Sequence, residues 1–199
     1  MLKREELDQL MQIKGEVRGV VFHTDAAYVL EKEGEEGVKK LESRVKELSY
    51  PINYRNPQIT GWYPVGLRMI SLLLVKDAFG WSNEKIKTMG NTAPKFSFII
   101  KILTKFFISI RKIVEKSPQT WNKHYRNIGK LEGVKVDERG KEAILRLSEF
   151  KVHPLFCLYL EGFFARVASL GLTSRKVECK ETKCVFRGAP YNEFKITWK

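Results

Sequence analysis

Apolar residues recur along this chain with two periods, and the places where the period changes predict its elements. Residues 3–11 carry a helical spacing, and residues 13–22 (IKGEVRGVVF) suit a strand with a glycine-centred irregularity. Thr24 or Asp25 is placed to cap a short helix to Glu33. Residues 35–48 then set Val38, Leu41, Val45 and Leu48 on one face of a second helix. Residues 51–64 are rich in Pro, Asn and Gly and carry Tyr54, Trp62 and Tyr63, the composition of a loop. Pro64 opens a helix to Phe79 stopped by Gly80, and Ser82 caps another whose end the pattern places at Gly90.

Residues 97–114 (SFIIKILTKFFISIRKIV) are dense in Ile and Phe, yet Lys101, Lys105, Ser109, Lys112 and Lys116 draw a polar stripe down them. A membrane span needs about 20 residues with few charges, so the stripe predicts a nearly buried helix with one wet edge. The same face suits the wall of an apolar ligand cavity or a helix in contact with a membrane surface. Ser117-Pro118 opens a further helix to about Asn127. The period falls to two over residues 130–136 and 143–150 and returns to helix over 154–170, ahead of Gly171. Two strands follow across 174–198, around a turn at 187–190. This order predicts an α+β fold, with the helical N-terminal and central parts packed on a mainly antiparallel sheet. No repeat or low-complexity linker divides residues 1–199, which predicts one domain.

Composition changes that picture in two ways. With 43% hydrophobic and 12% aromatic residues among 199, the chain can bury a substantial core, which excludes disorder. The net charge of +13 is uneven: −2 over residues 1–50, +10 over 51–128 and +5 over 129–199. The excess therefore lies beside the apolar central helices and points to anionic partners. A nucleic-acid interface is disfavoured, since no helix-turn-helix, zinc-finger spacing or RNP-like strand accompanies the charge. Three cysteines cannot form a disulfide framework and fit a reducing cytoplasm. The opening MLKREELDQL lacks the apolar core of a signal peptide.

Catalytic motifs are scarce. The sequence has no Walker loop, GxGxxG, GxSxG or HExxH. His23, His124 and His153 stand apart from any nucleophile and read as capping, surface or packed side chains. The three cysteines are more informative, because Cys157 on a helix and Cys179 and Cys184 near a strand pair lie close to acidic residues. Zinc takes four such ligands as a tetrahedron. Cys179 and Glu181, two apart, share a strand face, whereas Cys184 falls on the other face unless the chain bulges.

Two segments, CLYLEGFFARVASLGL from Cys157 and ETKCVFRGAPYNEFKI from Glu181, resemble the C-terminal half of the vinyl-4-reductase domain over about 45 residues. That domain is related to bacterial aromatic-sensor modules and to TRAPP-type transport-particle subunits. The resemblance implies a zinc hairpin whose ligands fall on Cys157, Glu181 and Cys184. A second strand cysteine would fall on Asn192, and a neutral amide is a poor zinc ligand, so the set is incomplete. It implies a homodimer as well. A related haem-nitric-oxide sensor would need a Tyr-x-Ser-x-Arg signature, which this sequence lacks.

The function expected is a non-catalytic, sensor-like domain that binds a small apolar or aromatic molecule, such as a hydrocarbon. Phe106, Phe107, Trp121, Tyr159 and Phe163 are the candidates to line its cavity. The basic rim favours an anionic, carboxylated ligand. The alternative is a protein-interaction or scaffolding subunit of TRAPP-like architecture. An enzyme acting on a tetrapyrrole vinyl group has no cofactor motif behind it.

Overall fold

A computed structural model describes residues 2–97, 100, 109–174 and 176–199. Among these are six α-helices, α1 Arg4–Met11, α2 Val20–Leu48, α3 Val65–Phe79, α4 Asn83–Phe96, α5 Ile110–His124 and α6 Pro154–Ser169. The strands are β1 Glu16–Arg18, β2 Trp62–Pro64, β3 Tyr125–Arg126, β4 Lys130–Asp137, β5 Glu142–Ser148, β6 Val177–Lys183 and β7 Asn192–Trp198. They form two antiparallel sheets, ordered β2-β1-β3 and β4-β5-β7-β6. The class is α+β, as the order of periods predicts. No helix among the described residues is long and apolar enough to cross a membrane.

Helix ends follow capping chemistry. Ser82 Oγ accepts from Lys85 N at 3.2 Å, and Ser109 Oγ accepts from Lys112 N at 3.2 Å. His153 Nδ1 accepts from Leu155 N at 3.1 Å, directly ahead of Pro154 at the first turn of α6. The predicted break near residue 34 is present as a kink, where Gly34 takes φ +69° inside the otherwise continuous α2.

Four local expectations fail for identifiable reasons. The strand expected over 13–22 shrinks to Glu16–Arg18, because α2 begins at Val20. Thr24 and Asp25 therefore lie within α2; Thr24 Oγ1 donates to Val21 O, and Asp25 turns inward. Gly90 does not end α4, which runs on to Phe96. It serves a close crossing instead: a Cβ at Gly90 would meet Tyr159 O at 2.0 Å, and one at Gly162 would meet Lys87 O at 1.9 Å, so α4 and α6 pack backbone to backbone. Finally, Ser117-Pro118 lies inside α5, where Ser117 Oγ donates to Val114 O. Of the polar stripe, Lys101 and Lys105 lie outside the described residues, while Ser109 caps α5 and Lys112 and Lys116 lie on it.

The β4-β5-β7-β6 sheet turns alternate residues inward. Ala143, Leu145 and Leu147 of β5 and Asn192, Phe194 and Ile196 of β7 are buried, as the period of two requires. Helices α5 and α6 lie against this sheet, and α2, α3 and α4 pack beyond them.

Candidate functional site

Where these layers meet, the side chains leave a cavity of about 70 Å³. Its walls come from α2 (Val20, Val21, Thr24), α4 (Ala93), α5 (Ile113, Val114, Trp121), α6 (Leu160, Phe163, Val167) and the sheet (Leu131, Leu145, Ile196), and they are almost wholly hydrocarbon. Of the five aromatics expected here, Trp121, Tyr159 and Phe163 line the cavity; Phe106 and Phe107 lie outside the described residues. Trp121 is fixed by stacking on Tyr125 at 4.2 Å, and its indole N–H donates to Ile128 O at 3.3 Å.

Two of the polar residues in this wall set its electrostatics. The first is Arg68, a single cation within the buried run 65–75 of α3 and itself only 1% exposed. Its Nη1 donates to Asp25 Oδ2, and Ser71 Oγ donates to the same oxygen at 2.6 Å. Tyr54 Oη donates onward to Ser71 Oγ at 2.9 Å. The guanidinium lies 4.5 Å from the Tyr159 ring centroid and 5.9 Å from that of Phe156. Burial pushes the Asp25 carboxyl up, against the pull of Arg68 and its hydrogen bonds. Burial likewise pushes the Tyr159 phenol up to about 12 despite the nearby cation. The Tyr125 and Tyr159 hydroxyls also lie against the guanidinium of Arg68, while the buried Asp25 Oδ1 has no hydrogen-bond partner among the described residues.

The second group is His124, the last residue of α5. Its Nδ1 lies 3.0 Å from Thr120 O. A carbonyl only accepts, so Nδ1 carries the proton and Nε2 is the basic nitrogen. Burial lowers the His124 pKa against that backbone bond, and Arg18 and Lys123 lower it further, so the ring stays neutral. A neutral imidazole oriented through a backbone carbonyl has the character of a metal ligand at Nε2.

The sequence analysis missed Asp25, Arg68 and the position of His124. Only Arg68 carried a signal, as a lone cation in an apolar helix; its partner stands 43 residues away with no motif between them.

The hairpin cysteines form a separate group. The ligand atoms of Cys157, Glu181 and Cys184 lie within 4.8 Å of one another. A register shift between Glu181 and Lys183 brings Cys184 round to the Glu181 side, so the chain does bulge. Cys179 pairs with Ile196 and packs into the core, outside the group. Asn192 is committed elsewhere: its Oδ1 accepts from Val185 N at 3.0 Å and its Nδ2 donates to Phe150 O at 3.1 Å. Glu181 Oε2 accepts from Arg187 at 3.1 Å, while its buried Oε1 has no partner among the described residues.

Comparison with known proteins places the fold. No protein-family profile and no curated protein sequence matches the chain. Solved structures do. An H-NOX protein from S. oneidensis in the Fe(II)NO ligation state superposes with a TM-score of 0.66 at 16% identity, covering 92% of this chain and 99% of that one. An H-NOX protein from K. algicida gives 0.63 at 10% identity, over 92% and 96%. A structure described as probing heme distortion in the H-NOX family gives 0.60 at 13%, over 92% and 95%. These likenesses run through both halves of the chain and overturn the vinyl-4-reductase and TRAPP resemblance, which rested on a local cysteine-and-glycine pattern in about 45 residues. The homodimer implied by that resemblance loses its support with it. The described residues adopt the H-NOX type of α+β fold, with an apolar cavity lined by its helices and its four-stranded sheet.

Proposed function

We propose that this chain is a non-catalytic sensor module whose ligand is a small apolar molecule held in the α2–α4–α5–α6 cavity. The observation that carries this is the cavity itself: hydrocarbon walls around about 70 Å³, set in the middle of the fold. Apolar cavities of this kind stay dry and take up small apolar guests. The polar side chains around it support binding over chemistry, because Thr24 Oγ1, Ser117 Oγ and His124 Nδ1 are each tied to a helix carbonyl. The core that surrounds it joins Leu7 of α1 to Ile196 of β7, which supports treating residues 1–199 as one folding unit.

The H-NOX structures that share this fold are described with Fe(II) and heme, and the lining of this cavity bears on whether such a group fits. The neutral His124, with its tautomer set by Thr120, would suit an axial ligand. The remaining features do not fit a porphyrin. Pockets for ligands of drug size run to roughly 300–1,000 Å³, several times the 70 Å³ of this cavity. Arg68 is the single cationic side chain among the described lining residues, and its charge already faces Asp25. Titrating the purified chain with haemin tests this: no stoichiometric Soret shift is expected. A one-to-one shift abolished by His124→Ala would overturn it. In parallel, calorimetry with 1-butanol and cyclopropane is expected to detect saturable binding.

A second reading rests on the hairpin. The Cys157, Glu181 and Cys184 atoms, with the buried Glu181 Oε1 lacking a partner, support a cation held by three protein ligands. Elemental analysis of the purified chain tests it. About one zinc per chain, lost in Cys184→Ser, is the expected result; no metal above background would remove this reading.

A further inference from the structure

The cavity wall carries a strong acceptor with no donor to meet it. His124 closes α5 and is only 8% exposed, and its ring stands edge-on to that of Phe163, a neighbour in the same wall, at 6.5 Å between centroids. Its Nδ1–H is committed to Thr120 O, which leaves Nε2 with a free lone pair. Nε2 has no hydrogen-bond partner among the described residues, and it is not sealed off as Asp25 Oδ1 is. The hydroxyls in the wall are engaged elsewhere. Thr24, Ser117 and Thr120 donate to Val21 O, Val114 O and Lys116 O, Tyr125 and Tyr159 face Arg68, and Ser97 is held on Ile100 N. A buried acceptor left unpaired is costly, so an occupant that brings a donor is favoured here.

Size and charge narrow what that donor can be. A cavity of about 150 Å³ takes a benzene ring, so 70 Å³ suits roughly three heavy atoms. An ammonium or carboxylate head would be buried among hydrocarbon with no counter-ion, since Arg68 already faces Asp25. A single water would find one strong partner where it needs two or more. An amide brings two donors and a carbonyl to a single acceptor. A primary alcohol brings one O–H on an alkyl body. We infer that the ligand of this cavity is a short-chain alcohol, its O–H donating to His124 Nε2 and its carbon chain lying among the hydrocarbon walls beside Phe163. This rests on the cavity being the ligand site. It also replaces the anionic ligand expected from the basic central segment with a neutral one, recognised by a neutral imidazole.

Ethanol and propane, titrated into the full chain, test the inference, because they match in size and differ in the O–H. NMR of the side-chain methyls and of the histidine ring nitrogens reads both the place and the hydrogen bond. Ethanol is expected to shift the cavity methyls saturably and to move the His124 Nε2 resonance while Nδ1 stays in place. Propane is expected to shift the same methyls and leave Nε2 unmoved. His124→Phe is expected to weaken ethanol ~5-fold relative to propane, the loss of one hydrogen bond. Should that variant fail to fold, the ring nitrogens of the unmodified chain decide alone. Saturable methyl shifts with both molecules and an unmoved Nε2 would overturn the alcohol inference and leave the cavity as the ligand site. Cavity methyls that respond to neither would overturn the cavity reading itself.

Discussion

Two buried polar clusters in this fold, the Asp25–Arg68 pair and the Cys157–Glu181–Cys184 hairpin group, solve the same problem in different ways. Each carries ionisable groups into an apolar surrounding. The α2–α3 pair answers most of its charge internally: Asp25 Oδ2 receives both Arg68 and Ser71. The hairpin group is half open. Glu181 Oε2 meets the exposed Arg187, and Cys157 is pushed up by burial and by the neighbouring Glu181. The first cluster sets a cation directly against its carboxylate, whereas the second sets a carboxylate beside two thiols.

Breaking the internal pair should have the largest effect. Asp25→Ala removes the partner of a fully buried cation and is expected to cost about 3–5 kcal/mol in chemical denaturation. The double variant Asp25→Leu/Arg68→Met should lose much less than the two single changes summed, because no buried charge is stranded. A loss equal to that sum would mean that the two side chains do not act as a pair. Next in size is the helix crossing. Gly162→Ala puts a methyl 1.9 Å from Lys87 O and is expected to cost about 1–3 kcal/mol. An unchanged denaturation midpoint would show that α4 and α6 can separate freely.

A smaller effect follows from His124. Its folded pKa lies below the ordinary imidazole value of 6.5, so between those two values the unfolded chain binds more protons. The stability that comes from keeping the ring neutral is present above about pH 6.5 and is lost as pH falls toward the lowered folded value. Denaturation at pH 7.5 and 5.5 should therefore show a drop that is reduced in His124→Asn, whose amide can still donate to Thr120 O. An equal drop in both proteins would assign the pH dependence elsewhere.

The same contrast explains what the sequence revealed. The hairpin group was legible because its ligands lie within residues 157–184, on elements whose ends are marked by Pro154, Gly171 and Gly188. Even there, whether Cys184 joins Glu181 depended on a one-residue bulge that the strand period alone does not specify. The α+β order, the helix over 65–79 and the Gly34 break were legible for the same local reason. The Asp25–Arg68 pair was not, since nothing in residues 24–25 distinguishes an inward carboxylate from a helix cap. Gly90 misled in a related way: glycine marks helix ends and close crossings alike, and only the partner backbone at Tyr159 decides between them.

Methyl-resolved NMR of the chain under xenon pressure tests the central claim most directly. Saturable shifts confined to Val20, Ile113, Val114, Leu131, Leu145, Leu160, Val167 and Ile196 are the predicted result. Shifts scattered over the surface, or none at the cavity methyls, would contradict a ligand site at the centre of this fold.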